Sequence, residues 1–322
     1  MIQRKYNLNL CIAIMLGAVL VALALGALQK QFGIFDSADA LAISITKSVR
    51  SVVLTPPMWA ISWIGDEMGL MIVICVVYWL GYTVETIFFL LVLLFGNVIN
   101  TRMKEFFELQ RPLSSEISRL YETDGYGYPS GHTQTGVLYS WLIYAFVQKY
   151  WPVCLLAAFL MAASRIYVGD HYFSDTVGGF ICGLGLVIGA TGIYGHMRDL
   201  NSLRQSLRRS PALRVLLSLA LSGVYLAFAW PAPDASKYSG FLLGFFVVYS
   251  ALDFRWRWRS LPLAILASVV GLAVLLGVRL GLSAILPKTD ISNYCRYFFL
   301  GYLLAISPLA FVKIGLLKKK ED

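Results

Sequence analysis

Apolar runs of about 20 residues recur along this chain, and each is long enough to cross a hydrocarbon core about 30 Å thick as a helix. Of the 322 residues, 58% are hydrophobic and 14% are charged, against about 25% charged in an ordinary soluble domain. We therefore predict an all-α, polytopic transmembrane helical bundle of about ten spans. The spans are predicted at roughly 8–28, 67–82, 84–106, 131–148, 151–167, 175–195, 212–230, 239–254, 261–285 and 294–314.

The span pattern divides into two parts. We predict a six-span core over residues 1–200 and a four-span C-terminal extension over residues 201–322. The mixed stretch 34–65 suits an amphipathic helix lying in the membrane interface. The first apolar run is longer than the core of a typical signal peptide, which favours an uncleaved first span, with a cleaved signal peptide as the alternative.

Basic residues indicate the orientation, because Lys and Arg accumulate in cytoplasmic loops. The loop after the sixth span, the loop 255–259 and the tail 318–320 are all basic. An even number of spans then places both termini in the cytoplasm, for a protein integral to the cytoplasmic (inner) membrane. The segments 104–131 and 165–174 fall on the outer, periplasmic or extracellular side, yet they contain Lys104, Arg111, Arg119 and Arg165. Basic residues on the outer side run against the usual distribution of Lys and Arg, which indicates that they bind an anionic ligand.

The remaining composition excludes several classes of function. The net charge of +9 is spread over short loops between apolar runs, which argues against nucleic-acid binding and for contact with lipid headgroups. Four of the five cysteines lie inside apolar runs and none forms a Cys-x-x-Cys pair, so neither a disulfide framework nor a zinc site is predicted. We expect no metal and no cofactor.

Two of the three histidines, His132 and His171, fall in the outer segments that contain the basic residues, whereas His196 falls at the cytoplasmic end of a span and receives no catalytic role. In the first segment, Lys104 and Arg111 stand seven residues apart, which places them on one face of a helix. Pro112 then ends that helix. Snorkelling of the two basic side chains is the alternative reading.

The second motif is Tyr128-Pro129-Ser130-Gly131-His132, directly before an apolar run. Ser130 suits a helix N-cap, and Gly131 allows close approach of a ligand to the backbone. The positive end of the following helix would attract a phosphate group. His132 would lie at the edge of that site, placed to deliver a proton.

The third motif, 164–175, contains Arg165, His171 and Asp175. His171 and Asp175 are four residues apart, so their side chains can meet at the start of a helix. A carboxylate bound to one ring nitrogen leaves the other nitrogen free as a nucleophile. Arg165 offers donors that match phosphate oxygens. A purely structural histidine–aspartate pair is the alternative.

In chain order the motifs read Lys-x6-Arg-Pro, Pro-Ser-Gly-His and Ser-Arg-x5-His-x3-Asp. They resemble the signature of the type 2 phosphatidic acid phosphatase superfamily at every signature position. The resemblance implies a metal-independent hydrolase in which His171 becomes a transient phosphohistidine oriented by Asp175, while His132 protonates the leaving oxygen. It also implies a phosphate site formed by Lys104, Arg111, Ser130, Gly131 and Arg165.

Four further residues are weaker candidates for the site: Asp66, Glu67, Asp124 and Tyr128. Asp66 and Glu67 precede the second span and could contact substrate or the basic cluster, although structural pairing is the simpler reading. Asp124 and also Asp170 lie beside the motifs without a defined role. Tyr128 could line a headgroup pocket or belong to the aromatic belt of the interface.

The leading functional hypothesis is a membrane phosphatase that hydrolyses a lipid phosphate or lipid (isoprenoid) diphosphate at the outer leaflet. The alternatives are a phosphotransferase acting on a glycolipid acceptor, a sugar-phosphate phosphatase of the glucose-6-phosphatase type, and a non-catalytic transporter or anion-binding protein. The four C-terminal spans are predicted to act as a scaffold or an oligomer interface, because Gly240 and Gly244 suit close helix contact. A wall of the lipid-entry path, or a site that selects the headgroup, is the alternative.

Overall fold

Helices form nearly all the regular structure of this chain, as the long apolar runs predict. A computed structural model describes residues 6–120, 123–147, 151–197, 209–232, 234–252 and 255–319. Within these ranges the elements are α1 (Leu8–Phe32), α2 (Asp36–Val49), α3 (Thr55–Ile64), α4 (Glu67–Trp79), α5 (Thr83–Phe107), α6 (Gly131–Val147), α7 (Trp151–Tyr167), α8 (Phe173–Met197), α9 (Pro211–Ala229), α10 (Ala235–Tyr249), β1 (Trp256–Trp258), α11 (Leu261–Ile285), α12 (Asp290–Lys313) and β2 (Leu317–Lys319).

Six of the described helices are long and apolar enough to cross a membrane, namely α1, α5, α8, α9, α11 and α12. Helices α3 and α4 pass the same test together, with a bend of 64° between them, and would make a seventh span if they form one. The other three predicted spans overlap α6, α7 and α10, which have 15 to 17 residues, and α10 begins and ends earlier than the span predicted at 239–254. The protein is thus an all-α integral membrane protein.

The stretch 34–65 contains two helices rather than the single amphipathic helix that the sequence suggested. Helix α2 ends at Val49, and α3 starts at Thr55 with Pro56 and Pro57 in its first turn. Proline has no backbone N–H and is tolerated in a first turn but not in a helix interior, so the two prolines force a new helix to begin there.

One compact unit of the chain comprises residues 1–70 and 88–197. In it α1 packs along α8, and α6 packs against α7 and α8. Glycines on α8 permit the close approach to α1, since a Cβ at Gly185 would meet Ala18 and one at Gly189 would meet Met15. This unit contains all three motifs.

The second compact unit comprises residues 71–87 and 198–322. Helices α10 and α12 pack most closely in it, because a Cβ at Gly240 or Gly244 would strike the α12 backbone at Tyr294 or Phe298. The predicted glycine contact is therefore made within the unit. Strands β1 and β2 pair antiparallel, with Trp256 opposite Lys319.

Candidate active site

His171 and Asp175 form a buried pair at the start of α8. His171 precedes the helix by two residues, and its Nδ1 lies 3.0 Å from Oδ2 of Asp175, which also accepts the Tyr172 N–H at 3.0 Å. A carboxylate at Nδ1 holds the ring proton there and leaves the lone pair on Nε2. Burial, and then the positive charges of Arg111 and Lys104, hold the pKa of His171 well below its usual value of 6.5. The neutral, nucleophilic ring is therefore the favoured form.

The start of α8 is held by a residue far away in the sequence. Asp39, on α2, accepts hydrogen bonds from the Ser174 N–H and the Ser174 hydroxyl, both at 2.8 Å. Its carboxylate thus satisfies an otherwise unpaired N–H in the first turn of α8 and meets the positive end of the helix dipole. This contact fixes the helix end that carries the His171–Asp175 pair.

His132 lies at the start of α6 and pairs with Asp66 in the turn between α3 and α4. Its Nε2 is 2.9 Å from Oδ1 of Asp66. The turn approaches His132 closely, because a Cβ at Gly65 would come within 2.5 Å of the imidazole ring. The hydroxyl of Tyr139 on α6 also donates to the carbonyl of Ile64 at 2.8 Å. These contacts keep the carboxylate of Asp66 beside the ring.

Two buried arginines meet at Asp170, the residue before His171. Arg111 Nη1 lies 3.2 Å from Nε2 of His171 and donates to the Asp170 carbonyl at 3.0 Å and to Asp170 Oδ2 at 2.5 Å. Arg165 donates through Nη2 to the same Oδ2 and through Nη1 to Ser62. Asp170 thus joins the two arginines through one carboxylate oxygen.

The other predicted phosphate-binding residues surround this group from α5 and α6. Lys104 Nζ donates to the Tyr126 carbonyl at 2.7 Å, so the first motif holds the loop that carries the second. Ser130 caps α6 as predicted, since its Oγ accepts from Thr133 N–H at 3.4 Å. The Ser130 N–H donates to the Asp175 carbonyl at 2.9 Å. Gly131 is the first residue of α6, whose leading N–H groups have no partner within the helix.

The structure places the four weaker candidates in different surroundings. Asp66 joins the site through His132, and Glu67 is the first residue of α4. Asp124 is exposed on the segment between α5 and α6. Tyr128 is buried, and its hydroxyl donates to the Ala22 carbonyl on α1 at 2.5 Å. Tyr128 therefore serves helix packing in this structure, which gives no support for a place in a headgroup pocket.

Sequence reasoning assigned no role to three residues that shape the site, namely Asp39, Arg50 and Asp170. Arg50 donates through Nη2 to the Tyr167 carbonyl at 2.6 Å and through Nη1 to the Ser118 carbonyl at 2.6 Å. It thereby ties the end of α7 to the segment between α5 and α6. In the sequence, these residues are marked only as charged side chains that lie in a largely apolar stretch or next to a motif.

The arrangement of these residues suits phosphoryl transfer. A neutral histidine faces fixed cations that match phosphate oxygens, and a second histidine–carboxylate pair can move a proton. Among the described residues, no group of three or more His, Cys, Asp or Glu side chains is arranged to hold a metal ion. A helical membrane protein with such a site falls in the class of membrane phosphatases.

Comparison with known proteins identifies the family. A model of the PAP2 superfamily matches residues 85–198, and one described as "PAP2 superfamily phosphatase, transmembrane extension" matches residues 236–320. The chain belongs to the PAP2 superfamily, the type 2 phosphatidic acid phosphatase superfamily that the motifs indicated.

Several curated relatives share part of this chain. Phosphatidylglycerophosphatase B of Bacillus subtilis is 32% identical over 108 residues, which are 30% of this chain and 52% of the relative. Dihydrosphingosine 1-phosphate phosphatase YSR3 of Saccharomyces cerevisiae is 31% identical over 140 residues, which are 38% of this chain and 35% of the relative. The matched segments thus span about half or less of each relative's length.

A solved structure has the same fold over part of the chain. It is the crystal structure of a transmembrane PAP2-type phosphatidylglycerolphosphate phosphatase from Bacillus subtilis, with a TM-score of 0.50 and 24% sequence identity. The alignment covers 57% of this chain and 98% of that one. Hence the fold of that protein accounts for only part of the chain.

Proposed function

We propose that this protein hydrolyses a lipid phosphate or a lipid (isoprenoid) diphosphate at the outer leaflet through a phosphohistidine intermediate on His171. The observation that carries the proposal is the arrangement around this ring. Asp175 holds Nδ1 at 3.0 Å, and Nε2 lies 3.2 Å from the guanidinium of Arg111. The nucleophilic nitrogen and a phosphate-binding cation are therefore direct neighbours.

The reaction has two displacements at phosphorus. His171 Nε2 forms a bond to phosphorus while the bond from phosphorus to the leaving oxygen breaks, and His132 gives that oxygen a proton. The leaving group is the lipid alcohol for a lipid phosphate and the lipid monophosphate for a diphosphate. Water then attacks phosphorus and passes a proton to His132 while the bond from phosphorus to Nε2 breaks. This step releases inorganic phosphate and restores both rings. Lys104, Arg111 and Arg165 neutralise charge on the phosphate oxygens in each transition state. Because three cations of the chain supply this charge, the reaction as proposed needs no metal.

Asp66 supports the proton transfer. Its carboxylate lies 2.9 Å from Nε2 of His132, and a neighbouring carboxylate stabilises a protonated imidazole. Asp175 does the same for His171 when the phosphoryl group bound at Nε2 leaves the ring positively charged. Each histidine thus has its own carboxylate, which suits a nucleophile and a general acid that act in one cycle.

The proposal places the site at the outer face of the cytoplasmic membrane with both termini in the cytoplasm. Ten spans, with α4, α6, α7 and α10 crossing as shorter helices, would give the even number that this orientation needs. The basic strands β1 and β2 and the end of α12 would then lie at the cytoplasmic surface, as the distribution of Lys and Arg favours.

Lipid is proposed as the substrate class for two reasons. Two of the curated relatives are named for lipid phosphates, phosphatidylglycerophosphate and dihydrosphingosine 1-phosphate. The motif residues also stand at helix ends, at Lys104 near the end of α5 and Gly131 at the start of α6. A lipid could keep its chains in the bilayer while its headgroup enters such a site.

The test is phosphate release by the purified protein in liposomes with a chelator present. The panel comprises phosphatidylglycerophosphate, dihydrosphingosine 1-phosphate, an isoprenoid diphosphate and glucose 6-phosphate, with and without a glycolipid acceptor. We expect release from the lipids and an acid-labile phosphoenzyme after rapid quenching. His171→Asn should abolish both, whereas His196→Asn, at the opposite end of α8, is the matched control. Release by His171→Asn at the parent rate would refute the mechanism, and a phosphorylated acceptor would show phosphotransfer.

A further inference from the structure

Asp170 lies within the site, but neither the motifs nor the proposed mechanism use it. It is fully buried, and its Oδ2 accepts hydrogen bonds from both Arg111 and Arg165. The same Oδ2 lies 3.5 Å from Nε2 of His171. One carboxylate oxygen therefore occupies a point that faces two cations and the nucleophilic nitrogen at once.

That point is where the proposed reaction needs a phosphate oxygen. In the mechanism, Arg111 and Arg165 bind phosphate oxygens while Nε2 of His171 reaches phosphorus. In this structure Arg111 Nη1 instead contacts Asp170 and His171. A substrate phosphate must therefore draw donors away from the Asp170 carboxylate before it can meet the nucleophile.

The second oxygen of the Asp170 carboxylate indicates that burial of this side chain costs free energy. Asp170 Oδ1 is buried and accepts no hydrogen bond from any residue that the structure describes. A buried carboxylate is usually satisfied at both oxygens, and an unsatisfied one is destabilising. The arginine contacts through Oδ2 offset this cost, which fits an anion held by charge rather than by a complete set of hydrogen bonds.

Charge also makes Asp170 a competitor of phosphate. Burial lowers the pKa of the Arg111 guanidinium from its usual value, and the carboxylate of Asp170 is the largest influence that raises it again. Asp170 thus neutralises a cluster of cations that would otherwise attract any phosphate anion strongly. Its negative charge opposes phosphate binding by repulsion at the distance of a contact.

We propose that Asp170 is a resident anion in the phosphate subsite, which substrate phosphate displaces from Arg111 and Arg165 and which returns as inorganic phosphate leaves. In this role Asp170 lowers the affinity of the site for free phosphate. Only a ligand that gains additional binding elsewhere, as a lipid does from its chains, then occupies the site readily. The inference rests on the proposed function, because it takes the two arginines as the phosphate site.

The test measures binding of inorganic phosphate to the purified full-length protein by titration calorimetry at constant ionic strength. Asp170→Asn keeps the size of the side chain and removes its charge, and we expect its dissociation constant for phosphate to fall at least about tenfold. Asp170→Glu keeps the charge and should stay near the parent. Glu116→Gln removes a carboxylate that contacts Tyr172 and the Leu113 N–H instead, so it is the matched control and should also stay near the parent.

The possible results of the titration distinguish failure of the resident-anion inference from failure of the proposed function. A parent that binds phosphate while Asp170→Asn binds it no more tightly would overturn the resident-anion inference alone. Absence of phosphate binding in both proteins would overturn the phosphate site itself, and with it the proposed function. If Asp170→Asn unfolds without phosphate, the inference expects added phosphate to restore folding, because the ligand then replaces the carboxylate. Failure of phosphate, relative to chloride, to restore it would contradict the inference.

Discussion

Oδ1 of Asp66 lies 2.9 Å from Nε2 of His132, although 66 residues separate them in the chain. The contact joins the turn between α3 and α4 to the start of α6. It gives the proposed proton donor a carboxylate partner of its own, in the same way that Asp175 serves His171. The family motifs contain the second pair in full and only the histidine of the first.

This contact predicts a substrate-dependent defect for Asp66→Asn. The amide cannot stabilise a protonated ring, so kcat should fall about tenfold to a hundredfold for an alkyl phosphate, whose leaving oxygen needs the proton. The loss should be much smaller for p-nitrophenyl phosphate, whose leaving oxygen departs without one. Steady-state kinetics on both substrates measures the difference, and Glu67→Gln at the next position is the control. Equal losses on the two substrates would contradict a role in proton transfer.

Asp175→Asn should disable the nucleophile without unfolding the protein. The amide keeps the size of the carboxylate but stabilises neither the required tautomer nor the charged phosphohistidine, so we expect kcat to fall about a thousandfold or more. The substrate KM should change little, since Asp175 contacts His171 and not the substrate. Kinetics combined with circular dichroism tests this. A decrease of less than about tenfold in a folded variant would rule out the orienting role.

Loss of the Asp39 contact should cost both stability and activity. Asp39→Ala removes the acceptor of the Ser174 N–H, and the loss of such a helix cap typically costs about 1–2 kcal/mol of unfolding free energy. Because the capped end carries His171, kcat should decrease as well. Asp36→Ala provides the matched control, as Asp36 is exposed on the same helix and accepts instead from Gln29. Denaturant unfolding in detergent micelles compares them, and equal effects would argue against the cap.

The lowered pKa of His171 predicts how stability depends on pH. In the folded protein the ring stays neutral below pH 6.5, whereas the unfolded chain binds a proton there. The parent should therefore lose stability relative to His171→Gln as the pH falls below about 6.5, by up to about 1.4 kcal/mol per pH unit. Above pH 7.5 the difference should be constant. Thermal unfolding of both proteins from pH 8 to pH 5 measures it, and parallel curves would contradict a buried neutral ring.

Much of the helical framework follows from the sequence because its cause is local. The predicted span at 261–285 coincides with α11 (Leu261–Ile285), and the one at 151–167 with α7 (Trp151–Tyr167). An apolar run of the right length bounded by polar residues is sufficient for such a helix. The spacing of four residues between His171 and Asp175 likewise predicts their contact, since both lie at one helix start.

Contacts between distant segments could not be predicted in this way. Asp39 is 135 residues from Ser174, and no local pattern marks the two as partners. Asp170 lies next to His171 in the sequence, but its contact with Arg111 depends on how the segment after α5 folds back. Such pairs are determined by the packing of the whole unit, so a single sequence shows the charges but not their partners.

The hydrogen bonds of Arg50 constrain its own position in the sequence but not the side chains of its partners. Among the described residues, its three guanidinium nitrogens donate only to main-chain oxygens, those of Tyr167 and Ser118. Every residue type supplies a main-chain carbonyl, so evolution can exchange the side chain at position 118 without loss of this hydrogen bond. The arginine itself has no equivalent substitute, because lysine lacks the planar fork of donors that reaches two carbonyls. Among close homologues, we expect position 50 to be nearly invariant and position 118 to vary freely.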